Sequence, residues 1–301
     1  MVSSGLIFDQ IITGISIGSR LFLVAVGLSL IFGVLEVLNF THGVMYMIGA
    51  YMSVAFVEGL TLFGVINIPA LGFVPGILAA IIVVGVLGIF IEGVFIRRMY
   101  GREELDQLLL TFAFVLILTD LTRFTFGSQS RVINAPAVLE GTIRFTPSLA
   151  IPTYRAFVIL MSIVVMGALF LVLRQTNIGR VTRATSSDRE MASLLGINVP
   201  LLYTGVFFVG AALAGFGGAL AAPLQSVTPS LGDQVIISAF VVVVIGGLGS
   251  FAGAFVGAML IGLLTALGSL VVSGAGQLFP FIAMILVLVW KPTGLFGGAE
   301  A

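Results

Sequence analysis

From Gln234 to Trp290 the chain runs for 57 residues without a charged side chain. Roughly 20 mostly apolar residues carry a helix across the hydrocarbon core of a bilayer. This stretch must therefore hold at least two spans, and the glycines crowding its middle point to a re-entrant or broken helix. The rest of the chain agrees: 59% of its 301 residues are hydrophobic and 9% are charged, against about a quarter charged in a soluble domain. The apolar runs are continuous instead of alternating every second residue, which excludes a transmembrane barrel. With no water in lipid to satisfy the backbone, helices remain. The expected fold class is all-α: a polytopic membrane protein of about 8 to 10 transmembrane or half-membrane helices, forming one transmembrane domain over residues 1–301.

Composition also removes whole classes of function. Formal net charge is zero, so no broad basic field is available for nucleic acid. The absence of cysteine excludes disulfides and thiolate metal sites. A single histidine, His42, excludes a histidine-cluster metal site and any Ser-His-Asp triad not built on it. A nucleotide-binding loop needs Gly-x-x-x-x-Gly-Lys-Ser/Thr, and the one lysine, Lys291, sits between Trp290 and Pro292. Gly247-x-Gly249 is no dinucleotide fingerprint either, because it lies in an uncharged run without a following acid. No catalytic residue, metal or cofactor is expected in this chain.

The clearest spans are Gly76 to Ile96, Leu105 to Phe126, Ala156 to Leu173 and Pro200 to Ala222. Leu6 to Leu35, with Asp9 at its entrance, reads either as one long tilted helix or as two short segments split near Ser19-Arg20. Gly43 to Val57 is too short for an ordinary span and reads as a half-helix or a tilted neighbour packed inside protein. Met1 to Ser4 lacks the basic region and cleavage site of a signal peptide, so the N-terminus is expected to be retained. Arg97, Arg98 and Arg102 fall in one short loop, and Arg174, Arg180, Arg183 and Arg189 in another, which assigns both loops to the cytoplasm. Gly127 to Arg155 must then lie on the opposite side despite Arg131, Arg144 and Arg155. Its prolines, Pro136, Pro147 and Pro152, and its strand-forming residues predict a structured external loop.

Within the second basic loop, Ser187-Asp188-Arg189-Glu190 has the pattern of a capping box, Ser187 and Glu190 each satisfying the other's end of the first turn. A two-turn helix of roughly 12 Å should follow through Met191, Leu194 and Leu195 and stop at Gly196. That helix either lies on the membrane interface with its arginines at headgroups or docks a cytoplasmic subunit. Elsewhere, Asn39, Thr41 and His42 break an apolar stretch beside the short segment. They either contribute to a solute pathway or serve structure, with Asn39 or Thr41 capping the next helix and His42 bonded to a backbone carbonyl. Glu92 is spaced to pair with Arg97 and Asp120 with Arg123 at the membrane interface, with proton coupling as the functional alternative. Gly246, Gly247, Gly249, Gly253 and Gly257 read as a site of close helix packing.

Five stretches together resemble the permease subunits of branched-chain amino acid ABC importers, the LivH half of the LivH and LivM type. They are Gly14-Ile15-Ser16-Ile17-Gly18-Ser19; Leu38-Asn39-Phe40-Thr41-His42-Gly43 with Tyr46-Met47-Ile48-Gly49-Ala50-Tyr51; Gly179-Arg180 with Met191-Ala192-Ser193-Leu194-Leu195-Gly196-Ile197-Asn198; Gly246-Gly247-Leu248-Gly249-Ser250 with Gly253; and Lys291-Pro292-Thr293-Gly294-Leu295-Phe296-Gly297. The resemblance implies a single permease domain in a bacterial inner membrane. It implies that Arg180, Arg183, Ser187, Asp188, Glu190, Met191, Leu194, Leu195 and Gly196 belong to the region that contacts an ATPase. It further implies a second, LivM-like permease chain, two ATPase subunits that bind the ATP and magnesium, and a periplasmic solute-binding protein. Two departures bear on the solute: Val44 stands where an acid often follows the His-Gly pair, and Arg20-Leu21-Phe22 replaces a tyrosine and a small residue. Leucine-like amino acids are the first expectation, followed by urea, short amides or aromatic acids. From another class, the rival is a stand-alone secondary transporter or channel.

Overall fold

The computed structural model describes residues 4–62, 66–68, 70–146, 149–272, 274 and 276–297. Met1 to Ser3 and Pro147 lie outside them. The described residues form helices α1 (Ser4–Leu35), α2 (Thr41–Glu58), α3 (Phe73–Val94), α4 (Glu104–Phe126), α5 (Thr153–Gln175), α6 (Asn177–Ser187), α7 (Arg189–Leu194), α8 (Val199–Ala221), α9 (Leu231–Gly246), α10 (Phe251–Val271) and α11 (Leu278–Trp290). Six of them, α1, α3, α4, α5, α8 and α10, are long and apolar enough to cross a membrane. The chain is an all-α, multi-pass membrane protein.

Leu6 to Leu35 is one continuous helix, and Ser19-Arg20 does not interrupt it. The uncharged run divides into α9, α10 and α11; α9 and α11 are the short pieces, at 16 and 13 residues. The segment expected outside the membrane contains antiparallel strands β3 (Thr142–Thr146) and β4 (Leu149–Pro152), preceded in the chain by the shorter pair β1 (Leu60–Leu62) and β2 (Ile66–Ile68). Two of its three arginines have partners far off in the chain: Arg131 pairs with Glu58 at 3.0 Å, and Arg155 Nη1 donates to Thr13 Oγ1 at 2.6 Å. The Arg97 and Arg189 regions meet at the other end of the molecule, where Arg97 reaches the Pro200 carbonyl and Arg189 lies over Tyr100 and Tyr203.

Helices rich in glycine form the interior because lipid provides no hydrophobic drive for association, so close backbone approach must supply it. A Cβ on Gly18 of α1 would sit 2.7 Å from the Ala258 carbonyl of α10. One on Gly218 of α8 would sit 1.9 Å from the Tyr46 carbonyl of α2. Around this centre α4, α5 and α11 carry large apolar side chains facing outward, among them Phe112, Phe124, Leu160, Ile163, Ile285 and Trp290.

Candidate functional site

Two regions gather the polar and charged side chains, one at the arginine-rich end and one inside the bundle. At the basic end the chain leaves α5 and enters a helix the sequence reading did not contain. Thr176 caps α6, its Oγ1 accepting from Gly179 N at 3.3 Å. The turn is so tight that a Cβ on Gly179 would lie 2.1 Å from the Leu173 carbonyl. Arg180 donates to Asn177 Oδ1 and Arg183 to the Leu173 carbonyl, which ties both to the turn. Buried Gly179, Thr182 and Thr185 form the inner face of α6, and Ser186 Oγ donates to the Gly33 carbonyl of α1 at 2.9 Å.

The capping box is corrected by this geometry. Ser187 ends α6, and Asp188 is the cap of α7, its Oδ1 accepting from Met191 N at 2.8 Å. The box would have Glu190 reach back to the Ser187 N–H, but Ser187 is the last residue of α6 and its N–H belongs to that helix. At the far end Ile197 N donates to Ala192 O and Gly196 N to Ser193 O, with Gly196 at φ +84°. That is a Schellman stop, which favours glycine at the left-handed position. The helix is six residues, about 9 Å, shorter than expected. Ala192 is buried, whereas Met191, Leu194 and Leu195 are 53%, 82% and 74% exposed, leaving an apolar face without a partner. Arg180, Arg183, Asp188 and Glu190 are exposed beside it.

The root of α7 is fastened to the membrane body. The Arg189 guanidinium lies 5.6 Å from the centre of the Tyr100 ring and 5.2 Å from that of Tyr203, within the range of cation–π attraction. Tyr100 OH donates to Glu92 Oε1 at 3.0 Å. Arg97 binds the same carboxylate at 3.1 and 2.9 Å, and Thr204 Oγ1 donates to it at 2.8 Å. Burial, reinforced by the charge of Glu92, pushes the Tyr100 hydroxyl far above the usual phenol range, so it stays a donor. The Glu92–Arg97 and Asp120–Arg123 pairs are those read from spacing. Tyr100, Tyr203 and Thr204 were not legible as partners, because they come from other elements.

Inside the bundle, α1 ends at Leu35, and the chain passes Glu36 at φ +56° and turns back alongside α1 before α2 begins. Asn39, Thr41 and His42 are completely buried. Asn39 Oδ1 accepts from Thr41 N at 3.1 Å and from the Thr41 hydroxyl. His42 Nε2 bonds the Val24 carbonyl at 3.1 Å. A carbonyl only accepts, so this ring nitrogen carries the proton and Nδ1 is left as an acceptor. Val24 stands eleven residues from the end of α1, so α2 starts about 16 Å back along α1 from that end. His42 Nδ1 and Asn39 Nδ2 are buried without a partner.

The glycine stretch joins α9 to α10. A Cβ on Gly253 would lie 2.2 Å from the Gly246 carbonyl, and one on Gly257 2.7 Å from the Val242 carbonyl. Gly247 and Gly249 adopt φ of +103° and +81° in the connection, and Gly249 abuts Gly33 of α1. The distant Lys291 to Gly297 stretch packs here too: Leu295 N donates to Ile245 O at 2.8 Å and Phe296 N to Gly246 O at 2.9 Å.

Comparison with known proteins adds to this geometry. Residues 10–289 match a family model described as branched-chain amino acid transport system / permease component. The chain is 32% identical to the high-affinity branched-chain amino acid transport system permease protein LivH of Salmonella typhimurium, over 97% of this chain and 96% of that one. LivH of Escherichia coli K12 is equally similar over the same shares. The corresponding protein BraD of Pseudomonas aeruginosa is 31% identical, again over 97% and 96%. No solved structure matches.

Proposed function

Because this chain belongs to the branched-chain amino acid transport system permease family, we propose that it is the non-catalytic membrane subunit of a binding-protein-dependent ABC importer. Its place is the bacterial inner membrane. Its partners are a second permease chain, two ATPase subunits that hold the ATP and magnesium, and a periplasmic binding protein. Branched-chain or other hydrophobic amino acids are the solutes, as the names of its relatives suggest.

The observation that carries this reading is α7: a short helix, capped at both ends, fixed at its root by Arg189, and presenting Met191, Leu194 and Leu195 to the outside. A helix of this length does not persist alone in water, and an apolar face at the basic end calls for a protein partner. ATPase closure against α7 and α6 would be transmitted through Arg189 and the two tyrosines to α3 and α8, and through Ser186 to α1. The permease pair would thereby alternate between outward and inward access. The differential energy comes from ATP binding on the partners.

Purification of the tagged chain from its native membrane in mild detergent, with mass spectrometry of what accompanies it, tests the reading. Two ATPases and a second permease are expected, with ATP-dependent uptake of leucine once the binding protein is added. Recovery of this chain alone, in a preparation that preserves other membrane complexes, would make it a stand-alone transporter.

A further inference from the structure

Arg20 stands fifteen residues before the end of α1, about 22 Å along the helix axis. In a hydrocarbon core about 30 Å thick it therefore lies in the half away from the basic loops. Its Nη1 donates to Gln225 Oε1 at 3.0 Å, and Gln225 in turn donates to Tyr46 OH at 3.4 Å. Its Nε is buried with no partner, as is the neighbouring Ser19 Oγ. The charged and titratable groups that face it are Tyr46 of α2 and Tyr154 and Arg155 of α5. Tyr154 OH is committed to the Leu220 carbonyl at 2.8 Å, and Arg155 adds a second positive charge. None of the ion pairs among the described residues includes Arg20.

A guanidinium is always charged and has five donors. Within a membrane such a group is costly unless paired, and it marks a functional site more often than a structural one. The missing partner is an anion. The same seam continues inward, since His42 lies one helical turn before Tyr46 on the same face of α2. Four of the six buried polar side-chain atoms left without partners among the described residues belong to Ser19, Arg20, Asn39 and His42. Buried polar groups left unsatisfied on both α1 and the start of α2 point to something polar that visits them.

We propose that Arg20, steadied by Gln225 and Tyr46, is a binding station for the carboxylate of the transported solute, reached from the face opposite the basic loops. This rests on the reading of the chain as a permease. A small carboxylate suits the place because Arg20 is only partly exposed, enclosed by α1, α2, α5 and the segment after α8. The guanidinium fork pairs with such a group through two parallel bonds. One cation without a set of acceptors for the ammonium end would hold a zwitterion weakly enough to release it inward.

The first test does not depend on transport. The wild-type chain, with whatever subunits accompany it, is placed in lipid nanodiscs and treated with phenylglyoxal, and arginine adducts are mapped by mass spectrometry. Sodium acetate should slow modification of Arg20 several-fold, whereas acetamide with sodium chloride at the same ionic strength should not. Exposed Arg144 serves as the unprotected control. Equal protection by chloride, or no modification of Arg20 under any condition, overturns the proposal.

The second test measures leucine uptake by the reconstituted transporter carrying Arg20→Met, Arg20→Gln or Arg20→Lys, with co-purification of the ATPases confirming assembly. Loss of a hydrogen-bonded charge predicts a drop of about tenfold or more for the first two, with partial rescue by Arg20→Lys. Wild-type uptake by Arg20→Met overturns the assignment, and so does loss of assembly in all three variants. A defect that excess binding protein repairs assigns Arg20 to docking that protein and likewise rejects the carboxylate station. If the wild-type chain recruits no ATPase, the importer reading fails, and the adduct map still decides the carboxylate site.

Discussion

A carboxylate held at full burial must be matched by donors, and Glu92 has four: two from Arg97 and one each from Tyr100 and Thr204. Glu92→Ala leaves these donors without an acceptor and is expected to cost about 2–4 kcal/mol. It would appear as a lowered thermal midpoint of the detergent-solubilised chain, with a smaller loss for Glu92→Gln; an unchanged midpoint in the alanine variant would show the cluster to be dispensable. Sequence spacing alone finds the Arg97 half of this cluster. Thr204 could not be read that way, since it stands 112 residues away. Gly253→Ala is a second test at this scale. Its methyl group would meet the Gly246 carbonyl, so α9 must move off α10, and a loss of about 1–3 kcal/mol is expected by the same measurement. A variant as stable as wild type would mean that the contact yields without strain.

Among the elements, α7 depends most on its two ends. Asp188→Ala removes the observed cap and should destabilise the helix by about 1 kcal/mol, while Ser187→Ala, at the end of α6, should change little. Measured as ATPase co-purification and ATP-driven uptake, a larger defect for Ser187→Ala would restore the capping box in place of the observed cap. Gly196→Pro removes both the positive φ and the N–H that bonds Ser193 O, and it is expected to abolish coupled uptake while leaving solute affinity of the binding protein intact. Wild-type uptake in that variant would exclude α7 from coupling. The helix boundary differed from the sequence reading for a physical reason. A capping box describes four residues in isolation, and α6 runs through Ser187, so the N–H and the extended N-cap backbone that the box requires of Ser187 are already committed to that helix.

For the molecule as a whole, arginine placement puts the α6–α7 region and the β3–β4 hairpin at opposite ends. The chain has no cysteine, so Arg144→Cys and Leu194→Cys each introduce one reactive thiol. A membrane-impermeant maleimide should label the first in intact cells and the second only after permeabilisation; the reverse pattern would invert the molecule. Of the three arginines that run against the positive-inside reading, Arg131 is bound to Glu58 and Arg155 to Thr13, and the labelling pattern decides the orientation. The reading was legible because loop charge is a property of single positions.

By itself the sequence determined that this chain lives in a bilayer, that it is helical, where its long spans run and which ends carry the arginines. Those follow from hydropathy and charge summed over windows of about 20 residues, and they are properties of continuous chain. Only the tertiary structure decided that α1 is unbroken, that α2 starts against Val24, that Glu92 is fully buried, and that Arg20 faces Gln225 and Tyr46 with no ion-pair partner among the described residues. Each of these depends on which helix faces which. In lipid that choice is made by backbone approach at glycines and by polar groups finding partners far away in the chain, such as Tyr46 and Gln225, 179 residues apart.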